Sequence, residues 1–508
     1  MTIPYAQIPA NQRIGLFSAE FSEKPSERVD PGVRLPVMMG QKLPAAPAVV
    51  GTRYLITRTG EAATWFGRGS PLHGMAIGFF RRYPTGKFYA ICQTDNGSGV
   101  AGSRALTLTG PATETRELAL YIAGVKRPVS VTSGMIATAI ATAVVAAVVD
   151  DDPVTAAVGG TGNEHIVTFT SKVKGTVANQ ISIALNPLGQ AGAEQLPAGV
   201  GVTLAGSYAL ESGGLATQLA SGATNPTAAN WASYLGSAEP YSLIGFQMSD
   251  ETEAAVLQAQ LDPRWDALAA KDGVLLMPKM DSAADLLTYF AARNDWRVSV
   301  LGVPEAYGHL FPLYEAVGAY VGIIQRRCVS SGRPVANEQN TPLGVYGGGK
   351  NFTDTERNDL ADGGGATFYN ENGVSYLEFA GSTRRLTDHG DPETRYPDIQ
   401  VALGASWLRQ YFKVASQTAF PRHNIAKDND PIPGGAELIS PAGLEAWIIA
   451  KYAALATLNG GIAGSLEDFK EKLVVEPNET NPQRLDASIE PSFFQRWRVF
   501  GMNIAIGG

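Results

Sequence analysis

Three stretches, 241-YSLIGF-246, 273-GVLLM-277 and 298-VSVLG-302, decide how this chain folds. Each is a short apolar run, too short for a helix and too continuous for a half-wet strand. Helical patterns separate them. The first opens at Asp250 with Glu253 three residues on, the spacing of a capping box. The second opens at Asp281, and Ala283, Leu286, Leu287 and Phe290 make the i, i+3, i+4, i+7 stripe of a helix packed on one side. Buried strands alternating with helices predict a parallel sheet of βαβ units.

Working outward, 36–90 carries strand character in "APAVVGTRYLITRT" and a helix in "PLHGMAIGFFRRYP", with Met75, Phe79 and Phe80 on one face. Residues 91–215 change composition, rich in Ala, Thr, Val and Gly and poor in aromatics. Their strand runs end at glycines, and they read as a β-rich domain inserted into the larger one. Within it Met135 to Val149 is apolar for 15 residues before Asp150, Asp151 and Asp152. A spanning helix needs about 20, so this is a buried helix. Residues 331–395 are loop-rich around one strand, "VSYLEFA". Two helices follow over 397–457, the first with Ile399, Leu403, Trp407, Leu408 and Tyr411 on one face.

The ends differ again. In "GLFSAEF", Phe17, Ala19 and Phe21 share a side beside Leu16. In the closing "VFGMNIAIGG", Phe500, Met502, Ile504 and Ile506 face one way and Gly501, Asn503 and Ala505 the other. That is strand alternation at both termini, and an unpaired strand invites another chain to pair with it. The predicted organisation is an N-terminal arm (1–35), a core segment (36–90), an inserted β-rich outer domain (91–215), an α/β core with a loop-rich region (216–395), a C-terminal helical part (396–490) and a C-terminal strand arm (491–508). The class is mixed α/β and α+β, multidomain.

Catalytic signals are thin. The five histidines, His73, His165, His309, His389 and His423, form no zinc-binding pair, and no CxxC exists. In "GVYGGGKN", Gly344, Gly349 and Lys350 have P-loop spacing. Asn351, however, stands where Ser or Thr should hold magnesium, and Pro342 precedes in a loop. Asp388, His389 and Asp391 are close in sequence, with no nucleophile attached to them. The "DDD" run reads as a solvated cap. No catalytic residue, cofactor or metal ligand is assigned. A net charge of −8 argues against nucleic acid, which calls for a basic patch. The first residues lack a charged region and an apolar core, so no secretory signal is visible. Cys92 ends a strand and Cys328 follows a helix. They read as buried thiols or, outside a cell, as partners in a disulfide between subunits. Arg496 and Arg498, flanking Trp497, form a basic spot beside the last arm, fit for an inner-surface contact or for solvent.

Several segments in order give a likeness: "IGLFSAEF", "ATWFGRGSPLHGM", "ALTLTGPATETRELALYIAG", "HIVTFTSKVKGTVANQISI" and "FPRHNIAKDND". Together the chain resembles the contractile tail sheath proteins of Mu-like bacteriophages, within the myovirus tail sheath family. The resemblance implies a structural protein of the virion tail, made in the host cytoplasm. Copies of itself would stack as hexameric rings into a helical polymer around a tail tube protein, bounded by baseplate and tail terminator proteins. Contraction would then drive the tube through the host envelope. It implies terminal arms that add strands to neighbours, an outward inserted domain, no cofactor, no nucleic acid and no membrane insertion. The polar loops at 347–395, with Arg384, Arg385 and Asp388, are candidate contacts that change on contraction. The alternative is a soluble, hydrolase-like α/β enzyme with an inserted domain. Two strand-like termini and the lack of an assembled catalytic constellation favour the sheath.

Overall fold

A computed structural model of the chain describes residues 32–210, 212–236, 239–304, 310–331, 338, 341–346, 351–371, 374–431, 437–458 and 464–493. The arm residues Leu16, Phe17, Ala19, Phe21, Phe500, Met502, Ile504 and Ile506, the arginines Arg496 and Arg498, and His309, Gly349 and Lys350 lie outside the described residues.

Nine strands make the principal sheet: β1 (Val37–Gln41), β2 (Arg53–Ile56), β3 (Phe88–Gln93), β4 (Leu243–Phe246), β5 (Val274–Asp281), β6 (Val298–Pro304), β7 (Thr341–Tyr346), β8 (Ala366–Glu371) and β9 (Val374–Ala380). Their order is β7-β9-β8-β6-β5-β4-β1-β3-β2. The six strands from β8 to β3 run parallel, and antiparallel strands close both sides. The three apolar runs at 241–246, 273–277 and 298–302 are β4, β5 and β6, side by side, with Leu243 opposite Val274 and Leu275 opposite Val298. β1, buried at all five residues, lies between β3 and β4, so early and late parts of the chain share one sheet.

Helices cover both faces, as a parallel sheet requires. Ser299 on β6 hydrogen-bonds Tyr320 of the helix Leu313–Ile324, which is buried along its whole length. Three residues on, the Cβ position of Gly302 faces the other way, at Leu286 and Phe290 of the helix Ala283–Arg293. That helix is capped by Ser282, whose hydroxyl accepts from the amide of Asp285, one residue later than the sequence suggested. Helix Leu313–Ile324 also crosses the helix Pro71–Arg82 at backbone contact. A Cβ on Gly78 would sit 2.1 Å from the carbonyl oxygen of Glu315, and one on Gly318 2.1 Å from that of Met75. Gly74 and Gly78 on one helix and Gly318 and Gly322 on the other form two i, i+4 pairs of the kind that let backbones approach.

Between β3 and β4 the chain leaves this sheet and builds two antiparallel ones. One has the order 201–204, 101–109, 166–174, 154–158; the other 208–209, 215–218, 182–185, 116–122, 125–131. They enclose their own core of Leu106, Leu120, Val167, Phe169 and Ile183. The Ala-rich helix, Ala137–Ala147, buries Ile140, Ala141 and Val144 against it and leaves its other face outward. It is docked rather than wholly buried, and no described helix is long and apolar enough to cross a membrane.

The region read as loops around one strand holds more order than that. β7, β8 and β9 and a helix, Asp354–Asp362, all lie there. Thr353 and Glu356 give this helix a reciprocal capping box, which Asp250 and Glu253 do not form. After β9, the helices Ile399–Ala419 and Pro441–Leu458 pack around Leu408, Ile448, Tyr452 and Phe469, with Tyr452 and Phe469 stacked 3.7 Å apart. A hairpin, Val474–Pro477 with Leu485–Ser488, ends the described chain.

Candidate functional site

The polar side chains that the fold collects serve joints between its parts. The first joint ties the inserted sheets to the principal one. The turn after strand 166–174, "KGTVANQ", meets the ends of β1, β3 and β4. Gln41 and Gln247 are both fully buried and bonded twice: Nε2 of Gln247 donates to Oε1 of Gln41 at 2.7 Å, and Oε1 of Gln247 accepts the backbone N–H of Gln41 at 2.6 Å. Gln41 also donates to Asp95 and to the carbonyl of Lys174, both at 2.8 Å. Asp250 does not cap its own helix. Its carboxylate instead accepts from Thr176 Oγ1 at 2.6 Å and Asn225 Nδ2 at 3.1 Å. The capping spacing with Glu253 was therefore a false lead: Asp250 is drawn to a partner distant in sequence, and Glu253 is buried, which raises its pKa.

The second joint involves the acidic run. Asp152 is no solvated cap. Arg127 grips it through Nε at 3.0 Å and Nη2 at 2.7 Å, and it accepts the amide of Val149 at 2.9 Å. Its carbonyl oxygen lies where only Gly69 can pass, 2.2 Å from the position of a Cβ. Asp151 pairs with Arg68 at 2.6 Å near the surface. The same "FGRGSPLHG" loop holds His73. Burial lowers its pKa, and its Nδ1 accepts the amide of Gly69 at 3.2 Å. The ring is a packed, neutral histidine carrying its proton on Nε2.

The third joint lies where the chain enters the sheet. Asp272, fully buried, receives Arg34 at 2.9 Å, Arg409 at 2.7 Å and Ser406 Oγ at 2.7 Å. Residues 34, 272, 406 and 409 share no sequence pattern, so nothing but the three-dimensional arrangement could reveal them.

Other residues singled out in the sequence fall apart. Asp388, His389 and Asp391 occupy one exposed turn organised by the Thr387 hydroxyl, which accepts the amides of His389 and Asp391. Arg384 pairs with Asp388 at 2.9 Å, whereas Arg385 donates to the carbonyls of Asp362, Ala361 and Ser382 and so holds the end of helix Asp354–Asp362 in place. Pro342, assigned above to a loop, lies in β7. That strand is an antiparallel edge, where proline is tolerated, rather than the buried parallel strand a phosphate loop needs.

Cys92 and Cys328 are both fully buried within the principal core. A disulfide between copies needs a thiol at the surface, and this subunit offers neither there. Burial pushes the Cys92 thiol up to about 11, so the reactive thiolate is scarce at neutral pH. The aryl disulfide dithiobis(nitrobenzoate) is expected to label neither thiol in the native chain at pH 8 and both in denaturant. Rapid labelling of the native chain would show that one is accessible after all.

The hairpin 474–488 presents a different kind of site. It leans on the helix Pro441–Leu458 through Val475, while Val474 is 48% exposed. Among the described residues it pairs with no third strand. A two-stranded sheet is marginal by itself, and both its edges offer unpaired N–H and C=O groups.

Across 505 residues, 98% of this chain and 98% of its counterpart, the sequence is 26% identical to the Mu-like prophage FluMu tail sheath protein of Haemophilus influenzae. The chain is thus similar, over nearly its whole length, to a Mu-like tail sheath protein. No family model matches the chain. Its fold aligns with the sheath tail protein of Desulfitobacterium hafniense at 12% identity, covering 94% of this chain and 100% of that one with a TM-score of 0.48. It aligns with the contracted helical sheath of the anti-feeding prophage at 10% identity, covering 97% and 99%, with a TM-score of 0.43.

Proposed function

We propose that this chain is the structural subunit of a contractile phage tail sheath. The observation that carries this reading is the likeness, from end to end of both chains, to a tail sheath protein of a Mu-like prophage. The subunits stack as hexameric rings around a tail tube, joined to baseplate and terminator proteins, and contract to drive the tube through the host envelope.

The alternation at both chain ends and the open hairpin support a means of linkage. An arm from a neighbouring copy adds to the edge of 474–477 or 485–488, gaining main-chain hydrogen bonds and sites for alternate side chains. Phe500, Met502, Ile504 and Ile506 are the side chains such a strand would seat. Because donor and acceptor are different surfaces, the contact is head-to-tail and propagates into open helices. A donated strand is also a tether, so bodies can rotate while the pairing persists.

Electron microscopy of the full-length chain beside one ending at Arg498 tests this. Striated hollow tubes from the first and none from the second are expected. Equal tubes from both would remove the C-terminal arm from the mechanism. Failure of the full-length chain to polymerise, alone or on a tail tube, would overturn the sheath reading.

A further inference from the structure

The joint at Asp272 does more than brace the core, because the two parts it holds are those from which the chain ends depart. Arg34 is the third described residue, and everything before 32 lies upstream of it. Its guanidinium reaches Asp272 Oδ2 at 2.9 Å, Ser406 Oγ at 3.3 Å and the Ala270 carbonyl at 3.0 Å. Its own carbonyl accepts Gln325 Nε2 at 2.9 Å, and Gln325 in turn accepts the Ser242 hydroxyl at 2.6 Å. The N-terminal segment is thus clamped at one residue before it enters β1.

On the other oxygen of the same carboxylate, Oδ1, sits Arg409 at 2.7 Å. Arg409 lies on the helix Ile399–Ala419, the first element of the C-terminal part that carries the hairpin and leads to residues 494–508. Apart from this helix, that part has its own small core, separate from the one around the principal sheet. Asp272 itself holds φ +46, a left-handed conformation that an aspartate adopts at some cost. A fully buried carboxylate with one cation on each oxygen is a costly arrangement that persists only where its partners are all in place.

We propose that Asp272 is a positioning residue for assembly: with Arg34 on one oxygen and Arg409 on the other, it fixes the directions in which both terminal segments leave the body. The arms of one copy then reach its neighbours in a single register. A pull on either arm is delivered to the same point of the principal sheet, at the start of β5. This rests on the sheath reading for its purpose, though the joint itself can be examined without assembly.

Asp272→Asn removes the charge, keeps the shape and suits a left-handed backbone, where asparagine is favoured. Trypsin must take the Arg34 side chain into its own pocket, so cleavage between Arg34 and Leu35 reports release of that guanidinium. In the purified full-length variant this cleavage is expected to rise about tenfold, the scale of a lost coupling between contacting groups. Amide exchange over 403–411 should rise with it, while exchange over 101–218 stays at the level of the parent chain. Asp152→Asn, which breaks an equally buried pair elsewhere, should leave Arg34 protected. Unchanged cleavage at Arg34, or a uniform rise across all segments, would overturn the joint. In micrographs, Asp272→Asn is expected to give tubes of irregular helical order. Tubes as regular as the parent's would overturn the positioning role. If the parent forms no tubes, the sheath reading fails, and the trypsin and exchange results still decide whether one carboxylate holds both ends.

Discussion

Gly318→Ala is expected to destabilise the chain by about 3 kcal/mol or more, the upper range for overpacking a filled core. The added methyl would meet the Met75 carbonyl at 2.1 Å, with the Met75 Cα at 2.8 Å. Neither atom belongs to a flexible side chain that could swing aside, so the two helices must part. Parting them strips contact from Tyr314, Val317 and Val321 on one side and Met75 and Phe79 on the other, all buried. It also lifts helix Leu313–Ile324 from the sheet, where Val321 already sits 2.9 Å from the Cβ position at Gly245. Gly78→Ala should behave alike, because its methyl would strike the Glu315 carbonyl and the Ala319 amide. Gly60→Ala provides the contrast. It lies in the helix Thr59–Phe66 with nothing within 4 Å of its Cβ position, so alanine should be neutral or stabilise by about 0.5–1 kcal/mol. Denaturant midpoints and soluble yield of the three variants check this. Equal midpoints for Gly60→Ala and Gly318→Ala would mean the helices are not in backbone contact.

Those glycines mark the boundary of what sequence could tell. The pattern "PLHGMAIGFFRR" announced a helix with an apolar side, and β4, β5 and β6 announced themselves as buried parallel strands, because each signal is local: periodicity, run length and a proline that ends the helix. Contact between two helices separated by some 240 positions has no local signal. Gly74, Gly78, Gly318 and Gly322 become meaningful only once the helices are known to cross. The placement of β1 between β3 and β4 is of the same kind, since a five-residue strand carries no label for its neighbours. Asp250 failed for a related reason. Its spacing to Glu253 satisfied a local rule, yet Thr176 and Asn225, brought in by the inserted sheets, compete for the carboxylate and win. β7 and β8 were hidden by flanking glycines and by shortness; pairing with β9 supplies the order that their own residues do not advertise. The alternation at the two ends falls on residues outside the described ones, and the hairpin was too short to announce itself: Val474–Pro477 and Leu485–Ser488 are four residues each.

Asp152→Ala is expected to loosen the inserted sheets while the principal sheet stays folded. Removing one partner of a buried ion pair costs about 3–5 kcal/mol, because the remaining charge keeps its burial and loses its counterion. Here Arg127, only 19% exposed along its side chain, would be left behind, and the amide of Val149 would lose its acceptor. Asp151→Ala removes the neighbouring carboxylate from a pair whose side chains are 59% and 49% exposed, and water replaces what is lost. About 0–1 kcal/mol is expected there. Two adjacent aspartates in one acidic run should therefore differ severalfold in cost, a contrast no reading of "DDD" contains. The effect should be local because the inserted sheets close over their own core, distinct from that of the principal sheet, and so can open as a unit. Amide exchange separates the outcomes. In Asp152→Ala, exchange should rise over 101–131 and 154–185 and remain slow over 274–304. If the principal sheet exchanges faster by the same factor, the two cores unfold together, and the inserted sheets are not an independent unit. If neither changes, Arg127 has found another partner and the joint is carried by Gln41, Gln247 and Asp250 instead. The distinction bears on the proposed function: a chain whose inserted sheets can open alone has one more internal motion available than a single rigid body.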